Sequence, residues 1–92
     1  MGKNKLKHFV IRVSKADAAF IYFQFESNEG LCFFSTMKSS LNEPFRDIEI
    51  FSHLSLEKEI DHLLSYLGES IEIQYILTEV IPDSMDLMNK YM

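Results

Sequence analysis

Short apolar runs with a period of two, interleaved with two stretches at helical spacing, predict an α+β domain with two helices on one face of a four-stranded antiparallel sheet. A second observation sets the scale. The 92 residues, 47% of them apolar, suffice for one hydrophobic core. Third, residues 14–37, SKADAAFIYFQFESNEGLCFFSTM, form the most apolar and aromatic part of the chain, and the rest is arranged around them.

Residues 1–6 are expected to form a flexible basic arm. From 7 to 13, KHFVIRV alternates, with Phe9, Ile11 and Val13 on one side and His8, Val10 and Arg12 on the other, as a half-buried strand does. Ser14 then stands as the N-cap of a helix over 15–27, with Asp17 as the reciprocal member of a capping box. Ala16, Ala19, Phe20 and Phe23 share one face of that helix; Ala18, Ile21, Tyr22 and Phe25 share another. One face should pack on the sheet and the second should meet something else. The aromatic run 20–25 also reads as a strand, closed into a hairpin by Ser27-Asn28-Glu29-Gly30. The capping box and the Ala-rich start favour the helix.

Gly30 suits the left-handed conformation that ends a helix or closes a turn. Residues 31–37 read as the second strand and 38–46 as a polar loop, where Pro44 forbids a regular ladder. A third strand over 47–51 turns Ile48 and Ile50 inward and Asp47, Glu49 and Phe51 outward. Ser55 is expected to cap the clearest helix, whose Leu56, Ile60, Leu63, Leu64 and Leu67 form one apolar stripe. Glu57 and Glu59 occupy its first turn, where the helix dipole favours negative charge, and Gly68 ends it. The last strand, 71–80, is expected to turn Ile71, Ile73, Tyr75 and Leu77 to the core and Glu72, Gln74, Ile76 and Thr78 away, with Pro82 breaking it. In the Met-rich tail, 82–92, Met85, Met88 and Met92 share one face of a short helical segment that packs loosely on its own domain.

The resulting order, β-α-β-β-α-β, is the split βαβ or ferredoxin-like arrangement, in a single domain over 1–92 with its core at 7–80. The sheet face away from the helices would carry His8, Val10, Arg12, Glu49, Phe51, Glu72, Gln74 and Ile76. That mixture is too apolar for full solvation and too charged for a core. A homodimer is the expected explanation, with a protein partner or a small-molecule ligand as alternatives. The expected interface comprises Ile21, Tyr22, Phe25, Val10, Phe51 and Ile76.

Charge and motifs narrow the function classes. Net charge is −5, yet Lys3, Lys5, Lys7, Arg12 and Lys15 all precede the first acidic residue, Asp17. Nucleic-acid binding through this basic arm is one alternative; the acidic body repels phosphate backbones and argues against it. No apolar run approaches the ~18–20 residues of a membrane span, so no membrane is expected. The N-terminus lacks a secretory signal, and Leu6 stands where myristoylation wants Ser or Thr. The single cysteine, Cys32, forms no internal disulfide and fits a reducing, cytoplasmic setting.

His8, His53 and His62 are dispersed without the spacing of a metal motif, and Cys32 lies between Leu31 and Phe33 as an inert buried thiol would. Glu57 and Asp61 at helical spacing read as a solvated face, and the three glycines form neither a P-loop nor a dinucleotide fingerprint. No catalytic residue, metal or cofactor is therefore expected. The alternative is an enzyme-like or metal site built from His8, His53 or His62.

The motifs of several ferredoxin-like families are missing: the Gly-rich aromatic third strand of RNA-recognition modules, the Cys-x-x-Cys loop of metallochaperones and the arginine loop of acylphosphatases. Amino-acid-sensing ACT domains match in element order and dimer habit, without the Gly-rich loop after the first strand. The segment FESNEGLCFFSTM, after an apolar helix and an I-R-V strand, resembles a family of short bacterial domains of unassigned activity. That family shares a Glu on the first helix, a Gly starting the second strand and a Thr ending it, matched here by Glu26, Gly30 and Thr36. The resemblance runs from about residue 9 to 80 and implies the fold and a bacterial source, with no activity attached. The expectation is thus a non-enzymatic, ACT-like regulatory or interaction module. Should it bind a ligand, Glu26, Asn28, Gly30 and Thr36 are the candidate residues. A plainer reading of the same residues is that Glu26 and Asn28 cap a turn whose backbone angle Gly30 supplies.

Overall fold

The computed structural model describes residues 5–82. In chain order it contains β1 (Lys5–Ser14), α1 (Lys15–Ser27), β2 (Phe33–Thr36), β3 (Phe45–His53), α2 (Glu57–Leu67) and β4 (Gln74–Pro82), with single 3-10 turns at Lys38–Ser40 and Leu54–Leu56. The strands form one antiparallel four-stranded sheet in the order β2-β3-β1-β4. Phe9, Ile11 and Val13 of β1 and Ile48 and Ile50 of β3 meet Ala18, Ile21 and Phe25 of α1 and Ile60, Leu64 and Leu67 of α2 in one core. Both helices therefore lie on the same side of the sheet.

β1 begins earlier than its alternation suggests. Lys5 and Leu6 belong to the strand rather than to a flexible arm, because Leu6 is fully buried against Phe51, with Phe33 and Ile81 packed around it. The remainder of the basic arm, 1–4, and the Met-rich tail after Pro82 lie outside the described residues. Residues 20–25 are helical. The Ser14 side chain accepts from the Asp17 N–H at 3.2 Å, the N-cap bond, and its hydroxyl donates to the Asp17 carboxylate at 2.9 Å, where a full capping box would have the Ser14 backbone N–H as donor.

The apolar faces of α1 take roles opposite to those in the expected interface. Ile21 and Phe25 are buried beneath the sheet and Tyr22 packs against Phe34, whereas Phe20 and Phe23 point to solvent. The physical reason is that Ala18, Ile21 and Phe25 line up at i, i+3 and i+7, the spacing that meets a sheet. α2 also starts differently. The Leu54–Leu56 turn precedes it, Leu56 holds the N-cap position, and Ser55 makes no capping bond. Gly68 closes the helix with right-handed torsions, φ −66°, so it serves there without using glycine's conformational freedom.

The loop before β3 is ordered by one buried hydroxyl. Ser40 Oγ donates to the Met37 carbonyl at 2.8 Å and accepts from the Asp47 N–H at 3.0 Å. Arg46 adds bonds to the carbonyls of Ser40 and Glu43, which lets β3 begin at Phe45, two residues ahead of the apolar alternation.

β4 departs most from expectation. Opposite β1 the register runs Val10↔Leu77 and then Ile11↔Tyr75, leaving Ile76 as the extra residue of a β-bulge. One inserted residue sends every later side chain to the other face. Ile71, Ile73 and Tyr75 do approach the helix side, Tyr75 lying 6.4 Å from Phe9 ring to ring. Beyond the bulge, Leu77, Glu79 and Ile81 fall on the open face, and Thr78 and Val80 on the helix side. The strand also starts at Gln74 and runs to Pro82, which pairs with Lys5 as its terminal residue. Proline is tolerated at that end position of an edge strand.

Candidate functional site

Three places bring chemistry-bearing residues together: a cleft between the α1–β2 turn and α2, a charged array on the open sheet face, and the outer edge of β4.

The cleft grows from how α1 ends. The Asn28 N–H bonds the carbonyls of Gln24 and Phe25 at 3.2 Å, and its side-chain amide donates to Gln24 O at 2.8 Å, closing the last turn. The chain then reverses through Gly30, whose φ of 85° is open to glycine without strain, and Leu31 N–H returns to Asn28 O at 3.0 Å. A Cβ on Gly30 would touch nothing within 4 Å, so glycine is there for the backbone angle and not for close packing. Facing this turn, α2 presents Glu59, His62, Leu63 and Tyr66 at i, i+3, i+4 and i+7. Leu31, Leu56 and Leu63 make an apolar floor under a cavity of about 550 Å³, and Asn28, Glu29, Glu59, His62 and Tyr66 make its rim.

The expected ligand residues divide across the molecule. Asn28 and Gly30 line the cleft. Glu26 is exposed on α1 and does not line it. Thr36 sits at the far end of β2, where its hydroxyl bonds that of Tyr22 and ties α1 to the sheet. Glu59 and Tyr66 were not among the residues expected from the sequence, and His62 entered there only as a member of the alternative metal or enzyme-like site. Their shared helical face was the available signal, and the stripe of leucines beside it drew the reading toward the core.

On the open face, His8 lies between two carboxylates. Its Nδ1 is 2.6 Å from Glu79 on β4 and its Nε2 is 3.0 Å from Glu49 on β3, while its ring stacks on Phe51 at 4.4 Å. Two carboxylates can only accept, so both contacts are satisfied together when the ring carries both protons. With both nitrogens engaged, His8 has no free atom to act as a base on a third molecule. Further along, Arg12 grips Asp47 through two bonds of 2.8 and 3.0 Å and lies 3.9 Å over the Phe45 ring. This fork raises the Arg12 pKa above its ordinary value, the hydrogen bond to Asp47 being the largest cause. Val10 and Phe51, expected at an interface, are nearly buried within this array.

The remaining candidate chemistry is quiet. Lys7 donates to Glu57 at 2.7 Å, which raises its pKa, so two of the basic residues ahead of Asp17, Lys7 and Arg12, are engaged by carboxylates of the same chain. Burial pushes the Cys32 thiol up to about 12, which leaves little thiolate for nucleophilic chemistry. Among the described residues no group of three His, Cys, Asp or Glu side chains could hold a metal ion, and no helix is long and apolar enough to cross a membrane.

The third place is β4. Among the described residues it pairs only with β1, and eight of its nine residues are exposed. Tyr75, Ile76 and Val80 are each about half exposed, at 51%, 45% and 50%, and Leu77 is 39% exposed. Of the residues expected at an interface, Ile76 is the one that stands open to solvent here.

No family model matches the chain, and no curated protein or solved structure matches it closely enough to carry an argument.

Proposed function

We propose that the protein is a non-catalytic interaction module of ferredoxin-like architecture that works as a homodimer, with β4 pairing to β4 of a second copy. The fold reading is supported by the sheet order, which read from the other edge is β4-β1-β3-β2 with each helix crossing between non-adjacent strands. One observation carries the functional reading: among the described residues, the outer edge of β4 combines an unpaired backbone ladder with exposed apolar side chains. Soluble proteins blunt long edges with lysine, central proline or a covering element. β4 has no lysine, its single proline is terminal, and its one bulge lies against β1.

A second copy is the occupant because the edge is self-complementary. A two-fold axis perpendicular to the sheet makes β4 antiparallel to its mate and continues the sheet to eight strands. The strand's only charge, Glu79, is already turned to His8, so pairing sets no unpaired charge of β4 against its copy. Phe20 and Phe23 also leave apolar surface on α1, but without the backbone hydrogen-bonding capacity of an edge. In an ACT-like regulator this dimer would be the unit that responds to a signal.

The test is native mass spectrometry of the full chain and of an Ile76→Glu/Leu77→Glu variant. The expected result is a dimer that becomes a folded monomer in the variant, with unchanged circular dichroism. A monomeric parent, or a variant that stays dimeric, contradicts the proposal.

A further inference from the structure

We infer that the cleft between the α1–β2 turn and α2 is a binding site for a small organic cation carrying an apolar or aromatic group. A cavity of about 550 Å³ falls within the ~300–1,000 Å³ of small-molecule sites and far exceeds a bare metal ion. Its floor of Leu31, Leu56 and Leu63 takes an apolar body. The sign of the preferred charge follows from the rim. Glu29 and Glu59 both line it, and neither has a hydrogen-bond or ion-pair partner among the described residues.

The backbone adds to the same field independently. α1 ends at this turn, so the negative end of its dipole lies beside the cleft, and its last turn holds no basic residue to offset it. A bound cation would complete what Lys or Arg ordinarily supplies at a helix C-terminus. Tyr66, 60% exposed, puts an aromatic ring at the rim, the kind of group that attracts a cationic head. An anion would meet two carboxylates and a helix C-terminus. A neutral apolar molecule would leave those charges without a partner. This site lies on α2 and the α1–β2 turn and does not use β4, so it stands or falls separately from the dimer.

The experiment titrates the ¹⁵N-labelled full chain with benzyltrimethylammonium, and separately with benzyl alcohol and benzenesulfonate. The expected result is saturable shifts at Gly30, Leu31, Leu63 and Tyr66 with the cation, weaker binding of the alcohol and none of the sulfonate. Glu29→Gln and Glu59→Gln should each weaken the cation about three- to fivefold, the range of one partly exposed charge contact. Glu43→Gln, away from the cleft, should leave it unchanged. Shifts that do not saturate, shifts centred elsewhere, equal affinity for the neutral analogue, or affinity unaffected by both glutamine variants would each overturn the assignment.

Discussion

β3 and β4 flank the same strand, are each nine residues long and both run antiparallel to β1, yet every β3 residue is buried or half-buried and almost every β4 residue is exposed. Composition does not explain this, since IEIF in β3 and YILTEVI in β4 are comparably apolar. Position does. β3 is bonded on both edges, by β1 and β2, and its Ile48 and Ile50 lie under both helices. Among the described residues β4 has one bonded edge, and its bulge sends Leu77 away from the helices. The same kind of strand becomes core or surface according to what the topology lays against it.

The comparison is sharpened most by truncation. Ile50→Ala should lower unfolding free energy by about 3 kcal/mol, because the methylenes it removes are fully buried, whereas Val80→Ala should cost below about 1 kcal/mol. Urea denaturation of both variants checks this at a protein concentration where the chain is monomeric. Equal losses would mean that β4 is covered in the monomer.

The cover over the β3 side can be probed chemically. Cys32 precedes β2, where the Leu31 carbonyl accepts from Ser52 of β3 at 2.7 Å. With its thiol pushed up to about 12, Cys32 should react with a disulfide reagent at pH 8 on the order of 50-fold more slowly than an unhindered cysteine, the scarcity of thiolate being partly offset by its greater nucleophilicity. Fast labelling at pH 8 would show that the segment before β2 opens freely.

His8 joins the two halves of the comparison, since it bridges Glu49 of β3 and Glu79 of β4. His8→Ala should destabilise the chain by about 2 kcal/mol, leaving two carboxylates without their shared donor and Phe51 without its stacked ring. Amide exchange should show the added opening at the β1–β4 pairing ahead of β1–β3.

A further effect appears at alkaline pH. Between the ordinary 9.0 and about 12, folded chains retain a proton on Cys32 that unfolded chains release, so stability falls as pH rises through that window. Lys7 acts in the same direction. Its pKa is raised above 10.5 by the hydrogen bond to Glu57, and the stabilisation it brings is full below 10.5 and lost as pH climbs past the raised value. Thermal melts from pH 8 to 11 should therefore decline, and Cys32→Ala should flatten the decline.

Much of this fold is legible in the residues. The Ser14 N-cap, with Asp17 three residues on, marks the start of α1, and the leucine stripe of α2 marks its buried face. The open-face alternation of His8, Val10 and Arg12 against Asp47, Glu49 and Phe51 is read directly from a period of two. The bulge opposite Val10 and Ile11 is not legible, because it is a property of pairing between strands more than sixty residues apart and IEIQYILTEV carries no glycine to mark it. For the cleft, Asn28 and Gly30 announce a turn, but its α2 wall depends on how two helices are placed by the sheet. Residue types at Glu59, His62 and Tyr66 are ordinary for a solvated helix face, and only their proximity to Leu31 gives them meaning.

The central claim is that the open edge of β4 is closed by a second β4. Amide hydrogen exchange, followed residue by residue at two protein concentrations on either side of dimerisation, tests it most directly. The account predicts that the alternate β4 amides not bonded to β1 gain protection at the higher concentration, while exposed amides of the 38–44 loop do not change. Outward β4 amides that exchange equally fast at both concentrations would contradict it.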